Sequence, residues 1–112
     1  MKRNPRQINN AHADFIRQLP CIICRNNIET ECCHIRMSDA RIAKKNPGVG
    51  ARPDDKFTLP LCGKHHREQH TGNEQVFWNR YGIDPVLLAL ALYVVSGDAE
   101  EAERIIHSLS SG

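Results

Sequence analysis

Two short turns constrain this chain more than anything else in it: Cys21-x-x-Cys24 and Cys62-x-x-His65. A pair of soft donors at this spacing can reach one ion from a single turn, and a second such pair completes the tetrahedral four-ligand shell that zinc prefers. The fold is therefore expected to bring two stretches far apart in sequence to one point. With 112 residues the chain is one small domain with a limited core, to which a structural metal is a natural supplement. A redox role for the CxxC pair would need a thioredoxin-like strand and helix around it, which the flanking residues do not offer. Within the shell, Cys32 or Cys33 is the alternative to His65. Five cysteines are an odd number for disulfides, and no basic leader followed by an apolar run opens the sequence. Reduced thiols in a cytoplasmic setting are the expectation.

Periodicity supplies the elements between these turns. Ile8, Ala11, Phe15, Ile16 and Leu19 recur at helical spacing, so residues 6–19 read as a helix that stops before Pro20. Residues 29–35 read as extended, and residues 38–56, with Asn-Pro-Gly and Gly-Ala-Arg-Pro breakers, as a long loop. "FTLPL", residues 57–61, is a short strand that Pro60 keeps at an edge. Helices follow over residues 63–69, 73–81, 84–95 and 99–109. Asp84 with Pro85 forms a natural start for the third of these, and Asp98 with Glu101 a capping-box-like start for the last. Phe77, Trp78, Tyr81, Leu87, Leu88 and Leu92 fall at core spacing. The run "VLLALALYVV" is about half the roughly 20 residues that span a bilayer, so it reads as a core helix. No repeat or linker divides the chain. It reads as a single α+β domain over 1–112, with a core at about 19–82 and a helical C-terminal extension over 83–112.

The net charge of +2 conceals an asymmetry. Residues 82–112 hold Asp84, Asp98, Glu100, Glu101 and Glu103 against Arg104, a balance of −4, which leaves +6 for residues 1–81. Five of the cations, Arg36, Arg41, Lys44, Lys45 and Arg52, lie in one stretch opposed by Asp39 alone. Such a distribution suits a polyanion such as nucleic acid, although solvated surface charge reads the same way.

The segment "LCGKHHREQH" holds more ligand-type side chains than one ion needs. With His65 assigned to the first site, His66 and His70 remain, four apart and on one helical face, where they can hold a second ion. Zincin chemistry is disfavoured, because Arg67 rather than Glu follows His66.

Taken in order, CxxC, "ECCHI", a loop, "FTLPLC" and "CxxHHxxxH" resemble a zinc-stapled HNH endonuclease of the ββα-metal superfamily. The likeness is closest to the phage-type proteins that include the recombination-associated Ref nuclease, and it runs through "NEQVFWNRYGID", roughly residues 19–85. The resemblance implies a ββα-metal core flanked by an N-terminal helix and C-terminal helices, in a bacterial or phage-encoded protein. It makes His34 the general base, a task suited to imidazole near neutral pH. His66 and His70 would hold a catalytic divalent ion, Mg²⁺, Mn²⁺ or Zn²⁺, and products would carry a 5′ phosphate and a 3′ hydroxyl.

This sequence departs from that pattern twice. Cys33 stands where the family commonly places an Asp or His ligand; its sulfur suits Zn²⁺ better than Mg²⁺, and Glu31, on the same strand face, is the alternative third ligand. Phe57 stands at the middle Asn of the motif, so Asp54 or Asp55 is expected to hold the loop or to orient His34. Arg36, Arg41, Lys44, Lys45 and Arg52 would grip phosphates flanking the cut, which positions DNA without reading its sequence. Two other readings stand beside the nuclease: a noncatalytic zinc-bearing DNA-binding module, and an adaptor whose helical tail docks a protein or a second copy of the chain.

Overall fold

The computed structural model describes residues 9–42 and 54–109, which form a two-stranded sheet, five α-helices and one short 3-10 turn. The chain order is α1 (Asn10–Arg17), β1 (Thr30–His34), the 3-10 turn (Ala40–Ile42), β2 (Thr58–Cys62), α2 (Gly63–Gln69), α3 (Glu74–Arg80), α4 (Pro85–Val94) and α5 (Ala99–Ser108). Every expected helix and strand in the described residues is present, with ends shifted by one or two residues for most. For α1, expected over 6–19, residues 6–8 lie outside the described segment.

Side-chain caps explain where the helices begin. Asn9, Asn73, Asp84 and Asp98 each accept a backbone N–H from the first turn of the helix that follows, satisfying donors with no partner inside the helix. Only half of the expected box on α5 forms. Asp98 accepts from Glu101 N, but the Glu101 carboxylate turns to Arg104 instead of reaching back. α2 has no side-chain cap, since its N-cap residue, Cys62, is committed elsewhere.

The strands pair antiparallel, with Thr30 opposite Cys62 and His34 opposite Thr58. Pro60 faces Cys32 and cannot donate to the ladder, as expected of an edge. Its carbonyl instead accepts Ile22 N at 3.1 Å, which docks the CIIC turn onto the sheet. α1 packs on both strands, and α2 and α4 pack on β2. Phe15, Ile16, Leu19, Leu59, Leu61, Phe77, Trp78, Leu92 and Ile106 form one continuous core. Trp78 is wholly buried, and its indole N–H donates to Glu74 Oε2 at 2.9 Å, while Glu74 Oε1 accepts Arg36 N at 3.2 Å. One carboxylate thus ties the exit of β1 to α3.

One expected core member does not belong there. Leu87 is 49% exposed, because Val86, Leu88, Ala89 and Leu92 fill the inward face of α4 and leave Leu87 and Val94 outward. No helix among the described residues is long and apolar enough to cross a membrane.

Candidate metal centre and histidine site

The first site is assembled from three elements. Cys21 and Cys24 come from the turn after α1, Cys62 from the last position of β2, and His65 from the first turn of α2. The three sulfurs and one imidazole nitrogen all lie within 4.8 Å of one another. A tetrahedral zinc with sulfur at about 2.3 Å and nitrogen at about 2.0 Å places sulfurs roughly 3.8 Å apart and sulfur and nitrogen roughly 3.5 Å apart. Cys24 Sγ and Cys62 Sγ stand at 3.9 Å, and His65 Nδ1 lies 3.7 Å from Cys21 Sγ and 3.2 Å from Cys62 Sγ. The four residues could therefore hold one metal ion, and the donor set is consistent with zinc. The alternative ligands stay outside, since neither Cys32 nor Cys33 joins the group.

The backbone of this knuckle is unusual at one point. Arg25, directly after Cys24, has φ of 64°, a left-handed conformation that Gly adopts more readily. Its guanidinium folds back to donate to the Ile22 carbonyl inside the same turn. Above the ligand, Tyr81 stands edge-on to the His65 ring at 5.9 Å and donates its hydroxyl to Glu68, so α3 packs over α2 at the metal position.

The second histidine group begins at the next residue of α2, His66, and ends at its C-cap, His70. His66 Nε2 and His70 Nε2 approach to 3.2 Å, close to the roughly 3.1–3.4 Å separating adjacent nitrogens on one divalent ion with bonds of about 2.0–2.2 Å. His66 Nδ1 meets Glu31 Oε1 at 2.7 Å. A carboxylate in this position fixes the tautomer of the imidazole, so Glu31 orients His66 with Nε2 toward His70. Gly63 contributes by lacking a side chain: a Cβ there would meet Arg67 Nη1 at 3.1 Å and Glu31 Oε2 at 3.6 Å.

Cys33, the expected third ligand, is not brought to this pair. It is wholly buried in the core, and burial, with the nearby Glu74 and Cys32 charges, pushes its thiol well above the usual range. A thiol held protonated in an apolar core is a poor ligand. Nor do His34, His66 and His70 form a cluster: among the described residues, the Cys21 set is the one group of three or more ligand-type side chains gathered within 4.8 Å.

His34 ends β1 and is 15% exposed at its side chain. Its Nε2 lies 2.8 Å from Asp55 Oδ1, and Asp55 Oδ2 accepts Asn9 N at 2.8 Å. Asp55 is buried, at 3% exposure. An ionised carboxylate can only accept, so Nε2 carries the hydrogen, and in neutral His34 the basic nitrogen is Nδ1. Of the two aspartates considered for this role, Asp55 is the one that reaches His34. Asn9, in the cap of α1, carries no signal in the sequence that links it to residue 34.

The expected phosphate contacts are placed unevenly. Arg36 is half-buried, with its backbone N–H on Glu74. Arg41 is exposed but bound to two carboxylates: Nε and Nη2 meet Asp39, and Nη1 and Nη2 meet Asp84 at 3.0 and 3.2 Å. Those bonds raise its pKa above the ordinary arginine value and neutralise its charge locally. Lys44, Lys45 and Arg52 lie outside the described residues.

Comparison with known proteins adds a family but no chemistry. A family model described as "Protein of unknown function (DUF968)" matches residues 1–95. The chain is similar to the uncharacterized protein YdfU of Escherichia coli strain K12, at 29% identity over 84 residues. That stretch covers 73% of this chain and 21% of the relative, so the chain spans about a fifth of the curated protein it matches. No solved structure matches.

Proposed function

Since this chain belongs to the DUF968 family, whose function is unknown, its activity must be argued from its own residues, and we propose that it is a zinc-stapled, metal-dependent DNA endonuclease or nickase of the HNH type. The observation that carries this reading is the pair of prepared imidazole sites flanking the hairpin. His34 is fixed by a buried carboxylate in the tautomer a base requires, and His66 and His70 converge with Glu31 behind them. Both arrangements follow a β-β-α unit whose second strand runs straight into the helix.

In this reading zinc sits on Cys21, Cys24, Cys62 and His65 and is structural: four protein ligands leave no open position for chemistry. His66 and His70 would hold a divalent ion, which would supply charge stabilisation to the scissile phosphate and the departing 3′ oxygen. The chain does the rest. His34 Nδ1 accepts the proton of the attacking water, and the Asp55 carboxylate stabilises the imidazolium that results through its bond to Nε2–H. Arg67, exposed on α2 directly after His66, adds positive charge near where a phosphodiester would lie. Thiolate ligands persist in a reducing compartment, so the working site is the cytoplasm.

A second reading, a noncatalytic zinc-bearing DNA-binding module, is favoured by the site's donor set: among the described residues no third ligand atom gathers with His66 and His70, and the Glu31 carboxylate is bound to His66 Nδ1, behind the ring. Supercoiled plasmid separates the two. The nuclease nicks it when Mg²⁺ or Mn²⁺ is supplied, and His34→Ala abolishes nicking while zinc content and melting temperature stay near wild type. Retarded plasmid migration without nicking, under any divalent ion, would select the binding module.

A further inference from the structure

A cleft of about 660 Å³ opens between the 3-10 turn and the facing parts of α3 and α4, outside both sites described above. Its walls carry Asp39, Arg41, Gln75, Asn79 and Asp84, with Met37, Ile83 and Pro85 contributing apolar surface. Two carboxylates flank one guanidinium here, so the local charge repels phosphate. Arg41 already uses four of its five N–H donors on those carboxylates, through Nε, Nη1 and twice through Nη2. It is therefore a rigid, oriented group and not a mobile phosphate clamp. Gln75 Nε2 donates to Asn79 Oδ1 at 2.9 Å, which orients the pair and leaves amide donors and an acceptor for a ligand. Oriented donors and acceptors together, a charge that disfavours free phosphate, an apolar floor and ample volume match an uncharged, flat polar heterocycle, as a base edge presents acceptors beside amino groups.

We propose that this cleft seats one nucleobase of the strand being cut, and so gives the nuclease a base preference at a fixed distance from the scissile bond. The inference rests on the nuclease reading for its substrate. Ser38, on the cleft wall, is four residues beyond His34, and four residues span at most about 14 Å of chain. At about 3.4 Å per nucleotide along one strand, the near wall of the cleft lies within roughly four positions of the scissile bond that His34 serves, and the seated base is at or just beyond that wall. The basic loop gave no reason to expect any such preference, because phosphate contacts carry no sequence information.

Two measurements test it. In the first, the metal-loaded protein is titrated with each of the four deoxynucleosides, which carry no phosphate, and separately with inorganic phosphate, while side-chain amide resonances of Gln75 and Asn79 are followed by NMR. Shifts with at least one nucleoside, absent with phosphate and lost in Asn79→Leu, are expected. No shift with any nucleoside, or equal shifts with phosphate, overturns the proposal even where the protein fails to nick DNA. In the second, cut positions on a randomised duplex are sequenced. A bias of about tenfold at one position within about four nucleotides of the cut is expected, reduced to about twofold or less in Asn79→Leu. Cutting by wild type with a flat base distribution overturns the base seat and leaves the nuclease standing. No cutting at all strikes the nuclease, and the cleft then stands or falls by the nucleoside titration.

Discussion

Replacing Asp55 by Asn tests the histidine assignment at the level of a single proton. In the native chain the carboxylate accepts from Asn9 N and from His34 Nε2, both at 2.8 Å. An asparagine has one acceptor and one donor to offer these two partners. The backbone N–H of Asn9 cannot change its role, so it claims the amide oxygen and leaves the NH₂ group facing His34. His34 must then turn its Nε2 lone pair toward that group and carry its hydrogen on Nδ1, the atom the mechanism needs as base. Exchange of a charge-assisted bond for a neutral one costs about 1–2 kcal/mol of stability. The wrong tautomer lowers a histidine-dependent rate by about 10²–10⁴-fold, so nicking should collapse while the fold survives. Asp55→Ala separates the two effects. It leaves both donors without the buried acceptor, costing about 3 kcal/mol, or a melting temperature lower by roughly 12–24 °C in a domain of this size. Nicking rate and thermal unfolding, measured on the same metal-loaded samples, give both readouts. An Asp55→Asn protein that nicks at the wild-type rate would refute the claim that Asp55 sets the tautomer of His34.

Cys24→Ser should lower bound metal from about one equivalent to near none, and it should abolish the cooperative melt, since ligation free energy is folding free energy in a site of this kind; metal analysis with thermal denaturation checks both. Glu74→Gln places an amide where the carboxylate accepts both the Trp78 indole N–H and Arg36 N, so one donor loses its partner and stability falls by about 1–2 kcal/mol in urea titration. His12 is wholly buried, with Nδ1 at 2.7 Å from Ser96 Oγ, and burial holds its pKa below the ordinary 6.5, against the opposing pull of Asp55. Because the unfolded chain binds that proton first, wild-type stability should fall as pH drops from 6.5 toward the lowered folded value. His12→Asn should flatten the slope in that window, as read from urea midpoints across pH; an unchanged slope would mean that His12 binds its proton equally in the folded and unfolded chains.

Much of this architecture is legible along the chain because local rules decide it. The caps at Asp84 and Asp98 and the apolar spacing of α3 and α4 are set within a turn or two, and both ligand pairs of the metal centre are visible as spacing alone. What escapes is pairing across long separations, where composition is silent. Arg41 is bound by Asp84, 43 residues later, which removes it from the phosphate-binding set. Asp55 is anchored by Asn9, 46 residues earlier, which makes the first helix part of the histidine site. Cys33 illustrates a different failure. Strand alternation places it with Glu31 on one face, but it cannot say that the core closes over the sulfur while the carboxylate, two residues earlier, reaches out to His66.

Cys62 occupies three positions at once: it is the final residue of β2, the residue before the first turn of α2, and one of the four side chains that could hold a metal ion. A slide of a two-stranded ribbon by one residue would swap every side chain to the opposite face, which the buried residues of this hairpin already oppose. Such a slide would also move the Cys62 sulfur by about 3.4 Å from the other three donors, so sliding and joint ligation of an ion would be mutually exclusive. An ion held there would act as a ratchet pawl on the hairpin, and chelation should be felt as lost alignment that starts where Thr30 faces Cys62 and reaches His34 opposite Thr58.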